Sequence, residues 1–295
     1  METEGTVILD TFAEAFPVWI SRVIVTGERE WAYRAAVSAT GFATSRIGCP
    51  CEAGIERELA QRETPDGRAG YSILICGEKK QMKQHIAARI SQCVLPVPTV
   101  SAFDGLPDAK DRFYIRMHYF GDGYEEKCIV GGRRCWKIPV MQGEYAGEER
   151  FGTVKGVAGG NFLVMGKDQP SALSAATAGA AAIAGREGVI TSFPGGVVAS
   201  GSKVGSKNYR FPMPASTNHP FCPTLRGKIP DSEVPDGVGS IYEVVINGID
   251  EKAVKAAMKA GIVAAAGTGK ALYIGASNFN GKLGQYRLSL HNLFC

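Results

Sequence analysis

Apolar and polar positions alternate or recur along this chain in a way that predicts short strands and amphipathic helices. Ser21–Thr26 (SRVIVT) and Tyr71–Cys76 (YSILIC) are β-rich runs bounded by turn residues. Between them, Glu30–Thr40 has apolar residues at Trp31, Ala35, Ala36 and Val37 and stops at Gly41, as a helix does. Lys80–Cys93 places Met82, Ile86, Ala87, Ile90 and Cys93 on one helical face, and Pro96 and Pro98 end it. Residues 112–140 alternate, with Gly131-Gly132 dividing two runs, which predicts a hairpin. Gln142–Arg150 is polar and acidic, and the domain boundary is expected there.

The second half repeats a strand–helix–strand unit. Phe162–Met165 reads as a strand, Asp168 and Pro170 begin a helix reaching Ala184, and Val189–Thr191 is the next strand. Tyr242–Ile246 follows, then Asp250 as cap of a helix over Glu251–Ala265, then Ala271–Ile274. Gly284–His291 alternates as a final strand. Two such units with extra hairpins predict an α+β fold of two ferredoxin-like lobes with antiparallel sheets, divided into residues 1–150 and 151–295.

Composition changes this picture little. The 295 residues are 45% hydrophobic and 21% charged, as in ordinary globular chains. The net charge of +4 is too weak to argue for nucleic acid. It is uneven: residues 151–295 carry 14 Lys and Arg against 8 Asp and Glu, a net +6, which leaves −2 for the first 150. A basic second half suits an anionic small molecule or is simply a solvated face. The acidic start Met1-Glu2-Thr3-Glu4 is unlike a signal peptide, and no apolar run is long enough for a membrane helix, so a cytoplasmic protein with reduced cysteines is expected. Cys49-Pro50-Cys51 lacks the spacing and companions of a zinc site, and the four histidines are scattered, so no metal is expected.

Candidate chemistry gathers around Phe193–Lys207 (FPGGVVASGSKVGSK). Its small residues, with Ser200, Ser202, Lys203 and Lys207, suit a surface where backbone approaches a ligand. Gly156–Phe162 (GVAGGNF) is a companion of the same kind, and Ser216-Thr217-Asn218 follows downstream. Neither glycine cluster has nucleotide-binding spacing. Glu243 is a single carboxylate in an apolar strand, IYEVVI. On an open sheet face it would be unremarkable. In a cleft, desolvation would raise its pKa and make it a proton donor or acceptor near neutrality. The pattern alone leaves both readings open.

The words DTFAEAFP (Asp10–Pro17), ATGFATS (Ala39–Ser45), CPCEAGIER (Cys49–Arg57), ETPDGR (Glu63–Arg68), GVAGGNF, FPGGVVASGSK (Phe193–Lys203), YEVVING (Tyr242–Gly248) and GKLGQY (Gly281–Tyr286) occur in this order along the whole chain. In them the sequence resembles the formylmethanofuran:tetrahydromethanopterin formyltransferases. Cys51, where that family usually has Ala, and the absence of a strongly acidic composition are departures. The resemblance implies a formyltransferase of one-carbon metabolism, a homotetramer that moves a formyl group between formylmethanofuran and N5 of tetrahydromethanopterin with no metal or prosthetic group. It implies a first, proximal lobe over 1–150 and a second, distal lobe over 151–295. It also implies that Glu243 is the catalytic acid/base. The expected substrate wall is Phe193, Pro194, Gly195, Gly196, Ser200 and Lys203, with Asn161 and Asn218. A non-catalytic or partner-dependent pterin-binding subunit, or an enzyme acting on another tetrahydrofolate-like carrier, is the alternative.

Overall fold

A computed structural model describes all 295 residues. They form two compact units, each discontinuous in sequence. One comprises Val18–Gly156 and Gly185–Ile190; the other comprises Met1–Pro17, Val157–Ala184 and Thr191–Cys295. No helix is long and apolar enough to cross a membrane.

The first unit is built from β1 (Phe12–Thr26, from Val18 onward), α1 (Arg29–Thr40), β2 (Glu52–Leu59), β3 (Gly70–Gly77), α2 (Lys79–Cys93) and β4 (Ser101–Asp104). β3 pairs with β1 and β2, and β1 with β4, all antiparallel, giving the order β4–β1–β3–β2. This β-α-β-β-α-β sequence with its first strand inside the sheet is the ferredoxin-like plan. The core side of α1 is alanine, at positions 32, 35, 36 and 39, and that of α2 carries Met82, Ile86 and Ile90.

β1 begins earlier than the apolar run Ser21–Thr26 suggests. Pro17 hides the continuation. Phe12–Ala15 pair with Tyr286–Ser289 and Trp19–Thr26 with β3, and Pro17 falls between those two ladders. The alternating stretch 112–140 is not one hairpin. Asp111–Tyr114 pairs with Arg150–Thr153, and Arg116, in the left-handed region at φ 57°, turns the chain into a short 3-10 helix over Met117–Gly121. The hairpin is confined to Glu126–Val130 and Arg133–Val140, joined at Gly131 and Gly132 with φ of 54° and 77°. Gly143–Gly147 adds a third strand, so the polar segment expected to link two domains is part of a sheet.

The second half of the chain repeats the order of elements: β5 (Arg150–Gly166, from Val157 onward), α3 (Gln169–Ile183), β6 (Val189–Ile190), β7 (Ser240–Gly248), α4 (Glu251–Ala266) and β8 (Ala271–Gly275); all of these but β6, which counts with the first unit, lie in the second unit. β5 is central, antiparallel to β7 on one side and β8 on the other. Thr6–Ile8 extends the sheet parallel to β8, and β9 (Tyr286–Ser289) pairs with Phe12–Ala15. Both helices start on side-chain caps: Asp168 accepts from Ser171 N–H at 2.8 Å and Asp250 from Ala253 N–H at 2.7 Å.

One face of this sheet is closed by the two helices. Phe162, Val164, Val244 and Ile246, alternate residues of β5 and β7, are fully buried. Small residues bring α3 and α4 together: a Cβ on Gly179 would lie 2.9 Å from the Gly261 carbonyl oxygen, and one on Gly261 2.8 Å from the Phe162 ring. The alanine-rich helix therefore packs internally. GVAGGNF is likewise no turn. It lies inside β5, where the register shifts between Val157 and Gly160 and Gly159 takes φ 89°. A Cβ on Gly160 would meet Val254 at 2.4 Å, so that glycine serves packing against α4.

Candidate active site

The other face of the second sheet is where the candidate residues gather. Residues of odd number in β5 and β7 point there: Asn161, Leu163 and Met165, and Glu243 and Val245. The register sets Leu163 between Glu243 and Gly275, and Asn161 opposite Val245. Asn161 and Glu243 are therefore diagonal neighbours on one face. That face is not open to solvent. Val234, Val238 and Phe221, from the long excursion over residues 191–239, pack on Leu163 and Met165.

Phe193–Gly196 forms a 3-10 turn closed by Gly196 N–H donating to the Phe193 carbonyl at 2.9 Å. Gly195 and Gly196 have φ of 65° and 75°, and a Cβ on Gly196 would lie 3.0 Å from Ala180. The turn thus needs its glycines for geometry and for its approach to α3. Pro194 and Gly195 are exposed. The chain then returns to Glu243: Val198 N–H donates to the Glu243 carbonyl at 2.8 Å, and Glu243 N–H to the Val198 carbonyl at 3.0 Å. The small-residue loop and the carboxylate are backbone neighbours.

Glu243 is half-buried, and neither a hydrogen bond nor a neighbouring charge contributes to the shift of its carboxyl. Burial alone pushes its pKa up to about 7. The carboxyl keeps some contact with solvent yet is crowded by protein. It can hold or release a proton near neutrality.

Asn161 is nearly buried, at 6% exposure, and its amide is fully engaged. Its Nδ2 donates to the Gly159 and Ser277 carbonyls at 3.1 and 3.0 Å, and its Oδ1 accepts from Ser277 N–H at 2.7 Å. Asn218 Nδ2 donates to Ser277 Oγ at 3.2 Å, and a Cβ on Gly201 would be 3.4 Å from Asn218. Asn161 and Asn218 thus converge on Ser277, a residue that no pattern in the sequence singles out. Ser200 stands exposed beside Gly201.

The lysines are less available than their spacing suggests. Lys203 lies in a two-residue ladder with Ser216 and donates to the Ser216 hydroxyl. Lys207 pairs with Asp231 at 2.5 Å, and His219 Nε2 lies 3.1 Å from the same carboxylate oxygen. The Lys207 ammonium, with His219, holds Asp231 down at about 2. Lys207 therefore carries a local counterion. No three His, Cys, Asp or Glu side chains are grouped to hold a metal ion.

The chain is thus an α+β protein of two ferredoxin-like repeats, with a half-buried carboxyl whose pKa is raised on a covered sheet face. Two family models match the chain in tandem: "Formylmethanofuran-tetrahydromethanopterin formyltransferase" over residues 1–140 and "FTR, proximal lobe" over residues 143–293. The chain belongs to this formyltransferase family. The label proximal falls on the second lobe, the reverse of the order expected from the sequence. The formylmethanofuran–tetrahydromethanopterin formyltransferase of Methanocaldococcus jannaschii is 52% identical over the full length of both chains, and that of Archaeoglobus fulgidus 48%. Among solved structures, the formyltransferase from Methanosarcina barkeri superposes with a TM-score of 0.96 at 48% identity, covering both chains completely. A structure of the formyltransferase/hydrolase complex from Methylorubrum extorquens with methylofuran gives 0.94 at 38%, covering 100% of this chain and 99% of that one.

Proposed function

We propose that this chain transfers a formyl group between formylmethanofuran and N5 of tetrahydromethanopterin within a ternary complex, with Glu243 as the acid/base. The reading is carried by one observation: the only carboxyl on the covered face of the β5–β7 ladder has its pKa raised by burial to about 7. Family membership supplies the substrate class.

The chemistry follows from the groups involved. The attacking amine forms a new C–N bond to the formyl carbon, and the carbonyl becomes an oxyanion. One proton leaves the attacking nitrogen and one must reach the departing nitrogen before its C–N bond breaks. A carboxyl poised near neutrality exchanges both protons at low cost. Holding two large carriers in line contributes on the order of 7–11 kcal/mol of the barrier reduction. Phe193–Gly196, Ser200 and Lys203 form a substrate-side wall in this reading, and Asn161 and Asn218 shape the site through Ser277. No tightly bound cofactor enters the reaction.

Glu243→Gln preserves the shape and removes the proton chemistry. It should lower kcat by about 10²–10⁴-fold in an assay with both carriers, and wild-type kcat would end the assignment. When protonation of the leaving amine limits the rate, wild-type activity should fall as pH rises through about 7. We also infer a cytoplasmic homotetramer; sedimentation of the purified chain should give four times its 31.4 kDa mass, and a monomer at working concentration would refute this.

A further inference from the structure

Glu14 is the most completely enclosed carboxylate of the second unit, 2% exposed, and it has no Lys or Arg partner. Removing an ionised carboxylate from water is costly unless its oxygens are satisfied. Here four backbone N–H groups do so, all from one loop. Oε2 accepts from Phe279 at 2.7 Å and Gly281 at 2.9 Å, and Oε1 accepts from Leu283 at 2.6 Å and from Gly284. Burial pushes the Glu14 pKa up, but the bonds from Gly284, Phe279, Leu283 and Gly281 outweigh it and hold it below the usual carboxylate range.

The loop is shaped for this. Asn280 and Gly281 are consecutive residues with positive φ, 59° and 69°, a conformation that turns successive N–H groups toward one anion. Gly284 comes so close that a Cβ there would meet the Ala15 carbonyl oxygen at 2.6 Å. Phe279 sets its ring against Phe16, with centroids 6.4 Å apart. The words DTFAEAFP and GKLGQY, at opposite ends of the chain, are thus two halves of one device.

The same loop begins at Ser277, which Asn161 grips through both its backbone N–H and its carbonyl. The Ser277 hydroxyl accepts from Asn218 and has no acceptor for its own proton within the protein. Continuing the β5–β8 register past Leu163–Gly275 puts Ser277 opposite Asn161, on the Glu243 face. We propose that Glu14 is a positioning residue for formyl transfer, fixing the 277–284 loop so that the Ser277 hydroxyl donates a hydrogen bond to the reacting carbonyl oxygen. The proposal rests on the reading of Glu243 as the acid/base of that face.

Glu14→Gln keeps the size but sets an NH₂ group against two N–H donors. The variant should fold with a cooperative melt, and hydrogen exchange at Phe279, Gly281, Leu283 and Gly284 should accelerate by about tenfold or more. Its kcat should fall by about 10- to 100-fold with KM within about threefold, because misplacement rather than a lost contact is the cause. The pH midpoint belonging to Glu243 should stay where it is. A folded Glu14→Gln with kcat within about twofold of wild type overturns the proposal and leaves Glu14 a purely structural residue. Ser277→Ala keeps both backbone bonds to Asn161 and serves if Glu14→Gln does not fold. It should lose kcat similarly, by about tenfold, and wild-type kcat in it also overturns the proposal. Glu243→Gln separates the two readings: if that variant is active the acid/base reading fails, whereas an inactive Glu243→Gln beside an active Glu14→Gln or Ser277→Ala fails the present proposal alone.

Discussion

Two glutamates of the second unit are driven in opposite directions by their surroundings. Glu14 is buried among donors that lower its pKa, while Glu243 is crowded without donors and its pKa is raised to about 7. The consequences for stability have opposite signs. Unfolded, the Glu243 carboxyl titrates at about 4.5; folded, it titrates at about 7, so the folded state binds its proton more tightly. Its contribution is fully present below about pH 4.5 and is lost as pH rises to about 7. Glu243→Gln removes that loss. The variant should be more stable than wild type at pH 8 by about 2 kcal/mol, the full conversion of the shift being reduced for the solvent the carboxyl still meets. The gap should close at pH 4 in denaturant titrations; a gap that does not change with pH would refute the raised pKa. Glu14 stabilises above its unfolded value of about 4.5, and that stability is lost on acidification through its lower folded value. A site residue that costs stability beside a supporting residue that supplies it is a common division of labour in enzymes.

At the scale of elements, the helices were the most legible part of the sequence. Asp168, Pro170 and Asp250 mark starts that the capping bonds realise, and Met82, Ile86 and Ile90 read directly as a core face. The glycines were less legible, because a sequence does not say whether a missing Cβ makes room for a ligand or for a neighbour. In GVAGGNF the neighbour is α4, and at Gly179 and Gly261 it is the facing helix and Phe162. This allows a test against propensity. Alanine is favoured over glycine in a helix by about 1 kcal/mol, yet Gly261→Ala would press on Phe162 and on Ile183, 2.9 Å away. Overpacking should dominate and destabilise the protein by about 1–3 kcal/mol in equilibrium unfolding. A more stable Gly261→Ala would mean that the helices yield more readily than their spacing implies. Val198 is the converse case. Nothing in its residue type announces a bridge to Glu243, since that contact is made by backbone and set by the turn at Gly195 and Gly196.

At the scale of the whole molecule, the α+β plan and its internal repeat were legible because each repeat carries its own strand–helix–strand signals. The site was half legible. Glu243 stood out as a charge in an apolar strand, but Ser277 and Glu14 did not, since Ser277 meets Asn161 from 116 positions away and Glu14 meets Phe279 from 265. The division at residue 150 was not legible either: a polar stretch reads as a linker, whereas Gly143–Gly147 is a strand and β5 runs on through the expected boundary. The compact units are discontinuous, with Met1–Pro17 joined to Val157–Ala184 and Thr191–Cys295, and Gly185–Ile190 joined to the other unit. The consequence concerns inheritance as much as mechanics. A crossover in a gene exchanges contiguous sequence, and a crossover near residue 150 between two relatives would separate Glu14 from the loop amides that enclose it. Chimeras of this family should therefore trade the first 17 residues together with the second half.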